Sequence, residues 1–505
     1  MVHYKWTVLT NTSFGALIAA IDMTIVLISL PDIFRGLHIN PGDPANFPFL
    51  LWTVIGYALI TAVVLVTIGR FSDIFGRVRL YKLGFLIFII GTIACALSQN
   101  ILELILFRLL QGLGGAFLFA NSAAIITDAF EPKERGKALG INQISFLAGQ
   151  FIGLIMGGLI APYGWEYIFW VTVPFAIIGY VWASINLKEL GDADRSAHID
   201  WMGNITFGVG LTLILIGLTY VLVPYGGSDL GYLNPWVICA LVLGFFLLAV
   251  FIFVEQRVSH PMFKLSLFRN REFSAGISSL FVSAVARGGL LFMLVIWLQG
   301  IWLPLHGYSL EVTPFWAGIY MLPMTIGVLL MGPLSGVLSD RYGQRLFMAV
   351  GSLIIAVSFV WMALMPFNVS YVYLAVAIFF QGIGAGMFVA PNTSLVMSSA
   401  PAKDRGAASG MRATMQNVAQ SVSMTVYFAI LIVALEVNFA GTVLSKVPAT
   451  AALFSVFLGI TPPGVDFSTF SSVFAPIFMR SLALLFFISA ALSLIAGGLA
   501  ILKKK

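Results

Sequence analysis

Fourteen apolar runs fill most of this 505-residue chain, at about 6–30, 48–68, 80–98, 101–126, 137–161, 166–187, 201–223, 235–254, 273–301, 314–336, 346–365, 371–396, 406–435 and 477–501. Each is about the length needed to cross a bilayer, and none alternates with a two-residue period. Lipid offers the backbone no hydrogen-bond partner, so segments this apolar must satisfy their amides internally, as helices. Composition agrees: charged residues make up 10% of the chain, against about 25% in soluble domains. The expected fold is an all-α polytopic membrane protein with 14 transmembrane helices. The first run could pass for a secretory leader, but it is too long for one and carries Asp22. Cys95 and Cys239 both fall in apolar runs, which leaves no disulfide framework and no metal centre, and no cofactor is expected.

The chain repeats itself. Gly69-Arg70-Phe71-Ser72-Asp73-Ile74-Phe75-Gly76-Arg77 returns in weaker form as Gly336-Val337-Leu338-Ser339-Asp340-Arg341-Tyr342-Gly343. Gln111-Gly112-Leu113-Gly114 returns as Gln381-Gly382-Ile383-Gly384, and Glu134-Arg135-Gly136 as Asp404-Arg405-Gly406. The offsets are 267, 270 and 270 residues, the kind of internal repeat from which many transporters are built. An offset of this size carries span 1 onto span 9 and span 4 onto span 12. The organisation read from it is two six-helix bundles, 1–190 (spans 1–6) and 259–505 (spans 9–14), with an inserted helix pair, spans 7 and 8, at 191–258.

Orientation follows from the basic residues. With a cytoplasmic N-terminus, only Arg35, Lys446 and Arg480 fall in outer loops or at the outer end of a span, and only Arg108, Arg287 and Arg412 lie deep within spans; the other Lys and Arg lie on the inner side or at the inner ends of spans. The positive-inside rule then puts both termini in the cytoplasm of a multi-pass cell-membrane protein. A net charge of +6 is thereby explained by topology, and no nucleic-acid surface is expected because the charge is scattered through short loops. The loop 255–272 mixes apolar and basic residues and reads as an interfacial segment. The outer loop 436–476 holds one short apolar stretch, Ala451 to Ile460, expected to be a helix capping the outside.

Asp22 is the one carboxyl deep within a span, and such a group is costly enough to imply a function, about 2.5–3.5 kcal/mol on insertion scales. Its proton affinity is set by burial against any nearby cation. Counting 1.5 Å per residue from the outer ends of spans 1 and 4 puts Asp22 and Arg108 at one depth, roughly 10–12 Å below the surface. They are therefore expected to face each other as a proton-coupling pair, or else as a static ion pair orienting two helices. The coupling role requires that Asp22 communicate with a water-filled passage. In the loop between spans 2 and 3, Gly69, Asp73, Gly76 and Arg77, with Asp340 and Gly343 in the second copy, suit a cytoplasmic gate. There Asp73 is placed to accept hydrogen bonds from the N-terminus of a neighbouring helix. Gly149, Gly153, Gly157 and Gly158 form a small-residue face on span 5, expected to pack against a helix of the other half. Trp52, Tyr57, Asn142, Gln143, Gln150, Arg287, Gln299 and Asn417 are candidates to line a substrate cavity, and Arg412 is expected to reach the membrane interface.

These motifs resemble the major facilitator superfamily, and within it the fourteen-span drug/proton antiporter family, over essentially the whole length. The resemblance is carried by the Gly69/Asp73/Gly76/Arg77 loop, Arg108-Leu109-Leu110-Gln111-Gly112, the span 5 glycines, Asp22-Met23-Thr24-Ile25-Val26 with Pro31, and the His260-Pro261 to Arg269-Asn270 stretch. Three positions depart from the family pattern. Leu154 stands where antiporters carry a Pro, Ile74 where a basic residue often follows the Asp, and Gln416 where a basic residue is common. The resemblance implies a proton-coupled exporter of lipophilic small molecules working by alternating access, a monomer in the lipid bilayer. The alternatives are a transporter of a metabolite such as an amino acid, sugar or organic acid, and a non-transporting receptor. No enzymatic arrangement and no nucleotide-binding loop is visible.

Overall fold

A computed structural model of the chain describes residues 2–40, 43–131, 134–190, 199–226, 230–259, 261–401, 404–458 and 466–501. Every regular element among them is a helix, and 14 are long and apolar enough to cross a membrane. Spans 1 to 6 are Tyr4–Gly36, Phe47–Phe75, Arg77–Ala96, Ile101–Ala129, Ala138–Tyr163 and Tyr167–Asn186. Spans 7 and 8 are Trp201–Tyr220 and Pro235–Glu255. Spans 9 to 14 are Arg271–Leu305, Thr313–Tyr342, Gln344–Ala363, Tyr371–Ser399, Ala407–Phe439 and Ser472–Ile501. Span 8 is the most hydropathic and among the least buried, as a helix bathed in lipid should be.

Two compact units emerge. The first comprises Met1–Leu37, Trp52–Val209 and Leu247–Phe263; the second comprises His38–Leu51, Gly210–Phe246 and Lys264–Lys505. Within the first, span 1 packs on span 5 and span 3 on spans 4 and 6; within the second, span 9 packs on span 13 and span 11 on spans 12 and 14. These are the same pairings, shifted by the repeat.

Agreement extends to single contacts. Gly84 lies against the Gly114 carbonyl, and Gly351, 267 residues on, lies against the Gly384 carbonyl. Gly112 lies against the Tyr57 backbone as Gly382 does against Met324. Gly76 and Gly343 each begin the next span at φ 101° and 97°, a left-handed region open to glycine and closed to most other residues. The duplicated loop is a duplicated turn.

The short helix foreseen in the outer loop exists as Ala449–Leu458, and all of its residues are buried. It is a packed element of the second unit. Phe454 meets Phe47, Phe457 stacks on Phe292, and Gly300 on span 9 leaves room for Val456. Gly459 and Ile460 of the predicted stretch lie outside the described residues.

Candidate functional site

The first unit encloses a polar network in its apolar interior. Arg108 Nη1 on span 4 donates to Asp22 Oδ2 on span 1 at 2.6 Å and to Gln111 Oε1 at 2.7 Å. Gln111 Nε2 donates to Asp22 Oδ1 at 2.7 Å and to Thr92 Oγ1 on span 3 at 2.8 Å. Arg108 Nε points to the Thr53 carbonyl at 3.4 Å, and the guanidinium lies 4.8 Å from the centre of the Tyr57 ring. The depth count thus paired the right residues across four spans. Gln111 completes the network without having been singled out as a site residue. Its position three residues beyond Arg108, on the same helical face, was the available signal.

The network is sealed. Asp22, Arg108, Gln111 and Thr92 are each 0% exposed. Two donors remain unused, Arg108 Nη2 and the Tyr57 hydroxyl, both buried without a partner. In this conformation the pair therefore has no contact with water, and it is held by charge-assisted hydrogen bonds in a site of low dielectric.

The second unit keeps the scaffold and drops the charge. Applying the offsets of 267 and 270, Gln381 corresponds to Gln111, Ile378 to Arg108, Phe359 to Thr92 and Met324 to Tyr57. Gln381 is 2% exposed, and both ends of its amide are buried without partners. A residue that closes a network in one repeat is orphaned in the other because the groups that would satisfy it have become apolar.

Span 9 supplies a different feature. Its helix runs Arg271–Arg287, breaks at Gly288 and Gly289, resumes over Leu290–Trp297 and widens to a π turn over Leu298–Trp302. Span 13 repairs the break. Ser423 Oγ donates to the Val285 carbonyl at 2.6 Å and accepts from the Gly289 amide at 3.0 Å, while Tyr427 donates to the Ala286 carbonyl and shares a hydrogen bond with Ser489. Arg287 ends the first half beside Tyr427, with its Nε buried and unpartnered. Arg412 on span 13 is half-buried, with its Nε buried and without a partner. Interrupted helices of this kind commonly line transporter sites.

The other candidates scatter. Asn142 donates to Ser122 at 3.0 Å, the Gln150 carbonyl accepts from Thr24 at 2.8 Å, and the Asn417 carbonyl accepts from Ser421 at 3.0 Å. Gln143 is exposed, Trp52 half-buried and Gln299 buried in the π turn. An open groove of about 510 Å³ in the second unit, beside the Lys264–Asp404 ion pair, holds none of these residues.

At the loop between spans 2 and 3, Arg77 pairs with Asp73 at 3.0 Å and with Asp128 at the end of span 4. The amides that open span 3, Val78 and Arg79, are served by the Glu189 carboxylate at 3.2–3.3 Å, so Glu189 fills the role expected of Asp73. In the second copy Gln344, which corresponds to Arg77, donates to Ser394 at 2.6 Å, and Asp340 is exposed. At this position one copy makes ion pairs and the other a neutral hydrogen bond.

The span 5 glycines meet a different partner from the one expected. A Cβ at Gly149, Gly153 or Gly157 would come within 2.4–2.7 Å of the carbonyls of Leu17, Ile21 and Ile25, all on span 1 of the same unit. Gly158 is buried beside them. Spacing shows that a face is made of small residues but not which helix fills it. Gly153→Val should therefore lower the melting temperature of the detergent-solubilised protein, overpacking costing about 1–3 kcal/mol. Gly140→Ala on the same span, exposed and with nothing within 4 Å, should not lower it and should raise it slightly, since alanine favours the helix by about 0.4–1 kcal/mol over glycine.

The chain is thus a duplicated set of membrane-spanning helices, with an ion pair buried in one copy and a broken helix in the other, a build shared by many membrane transporters. The sequence profile of the Major Facilitator Superfamily matches residues 12–197 and 194–424, and the chain belongs to that superfamily, in its fourteen-span form. It is 28% identical over 515 residues to the tetracenomycin C resistance and export protein of Streptomyces glaucescens, covering 99% of this chain and 92% of that one. It is 29% identical over 415 residues to the riboflavin transporter RibZ of Clostridioides difficile (strain 630), covering 82% and 85%. The crystal structure of a bacterial homologue of the human lysosomal transporter Spinster superposes with a TM-score of 0.63 at 17% identity, over 98% of this chain and 97% of that one, a likeness of fold.

Proposed function

We propose that this transporter exports lipophilic small molecules in exchange for protons, by alternating access of two six-helix halves, 1–190 and 259–505. The observation that carries the reading is the Asp22–Arg108 pair. A carboxylate and a guanidinium fully removed from water are expensive to bury, and they are held by a network that its structural twin in the second unit lacks. The sealed conformation is one state of the cycle; proton exchange at Asp22 needs another, in which tilting of the halves admits water. The exporter among the relatives supports the same direction of transport; both termini are read as cytoplasmic from the positive-inside rule, and the protein is taken to act as a monomer. Spans 7 and 8, within 191–258, are an insertion outside this duplicated machinery. No enzymatic step enters.

Substrates are read as neutral, monocationic or anionic, because the second unit supplies Arg287 and Arg412 where a dication would need carboxylates. Arg287→Gln is expected to weaken apparent affinity for anionic substrates by about ten- to a hundredfold, the worth of a hydrogen bond to a charged group. Affinity for neutral ones should not change, as measured by concentration-dependent flux.

The similarity to a riboflavin transporter favours a second reading, transport of a metabolite. Reconstitution into liposomes under an imposed pH gradient separates the two. Flux of lipophilic compounds accelerated by the gradient supports export coupled to protons. Flux indifferent to the gradient, or confined to riboflavin and similar polar metabolites, rejects it.

A further inference from the structure

Spans 7 and 8 lie outside the duplication, and their ends bring together two acidic side chains that the coupling mechanism does not use. Asp200 directly precedes span 7, and Glu255 closes span 8. They are 6% and 4% exposed. One oxygen of each is engaged: Asp200 Oδ1 accepts from the Gly203 amide at 2.8 Å and caps span 7, and Glu255 Oε2 accepts from the Phe263 amide at 3.0 Å. The other oxygens, Asp200 Oδ2 and Glu255 Oε1, are buried with no donor. They converge on one point. A Cβ on Gly203 would lie 2.4 Å from the first and 2.9 Å from the second, so the two oxygens flank the same point on span 7.

No counter-ion among the described residues relieves this meeting. Span 2 turns Val63, Thr67 and Phe71 toward span 7, where they meet Gly208, Asn204 and Trp201. Arg70 on the same span is in none of the ion pairs among the described residues. On the far side Phe207, Phe251 and Phe263 form an aromatic cluster. The basic residues that follow are occupied, Arg257 over the Phe253 ring at 3.9 Å and Lys264 with Asp404 at 2.7 Å. Two acceptor oxygens that face each other away from water are stable only with a hydrogen between them, and adjoining carboxyl groups do not both ionise.

We propose that Asp200 and Glu255 share one proton and form a second protonation site, separate from Asp22, which clasps the ends of spans 7 and 8 and holds the segment 261–263 against them. The proton bridges Asp200 Oδ2 and Glu255 Oε1. Its loss sets two like charges face to face, opens the clasp and frees the Phe263 amide. The topology proposed above puts this clasp at the cytoplasmic surface, where it would respond to cytoplasmic pH. The site stands or falls independently of the transport reading, since it uses neither Asp22 nor any substrate.

Infrared spectra of the full-length protein in lipid at neutral pH provide the test. A carboxylic-acid C=O band that shifts on deuteration should be present, should disappear in Glu255→Gln and in Asp200→Asn, and should persist in Asp22→Asn. Hydrogen exchange at the amides of Met262 and Phe263 gives the second readout. Their protection should be lost at alkaline pH in the wild type and retained in Glu255→Gln, whose amide can donate to Asp200 in place of the proton. A wild-type spectrum without the band, a band untouched by both substitutions, or its loss on adding millimolar Mg²⁺ or Ca²⁺ at constant pH would overturn the proposal. The last result would make the pair a cation site.

Discussion

Asp22→Asn is expected to abolish proton release evoked by substrate while leaving substrate binding measurable. Asparagine preserves the size of the side chain, and its Oδ1 still accepts from Arg108 or Gln111, so the contacts among spans 1, 3 and 4 can persist. What disappears is the group that gains and loses a proton. In an unbuffered solution of the purified protein, addition of a transported compound should acidify the wild type and produce no change in the variant. Liposomes containing the variant should show no acceleration of flux by a pH gradient. Proton release equal to that of the wild type would show that Asp22 and Arg108 form a static pair that fixes helix orientation.

Arg108→Ala is expected to be the most destabilising single substitution in the network. It leaves the Asp22 carboxylate, 0% exposed, with Gln111 as its one remaining donor, and it empties the space against the Tyr57 ring. Breaking one side of a buried ion pair costs about 3–5 kcal/mol because the surviving charge stays buried and uncompensated. Combining Arg108→Ala with Asp22→Asn removes that charge and should recover part of the loss. The cycle of two single variants and the double variant then isolates the pair's coupling energy from the cavity term. Thermal unfolding in detergent measures it. A single Arg108→Ala variant as stable as the wild type would mean that the two groups are not coupled.

Much of this site was legible because depth in a membrane helix can be counted. The bilayer fixes where a span begins and ends, each residue advances 1.5 Å, and the rarity of charge in an apolar run leaves few candidates to match. Asp22 and Arg108 were paired in this way from positions 86 residues apart. The same count is silent on rotation about the helix axis. It therefore placed the span 5 glycines on one face without identifying span 1 as their partner. Asp200 and Glu255 escaped notice for a related reason. Acidic residues at helix ends normally meet water, and only the packing of spans 2, 7 and 8 with the segment 261–263 removes these two from it.

Sequence alone determined the number of spans, the duplication and its offset, and the pair of charges sharing one depth. Each follows from a local quantity: the length of an apolar run, the spacing of a repeat, or a count of residues from the end of a span. Tertiary structure decided which helices touch and which polar atoms are satisfied. It closed the Asp22 network through Gln111 and Thr92, left Gln381 stranded in its apolar copy, broke span 9 at Gly288 and Gly289 with Ser423 and Tyr427 to mend it, and brought two carboxyl groups together between spans 7 and 8. Those outcomes depend on the rotation and close approach of helices distant in the chain, and the free energy of a buried polar group is set by the neighbours it meets.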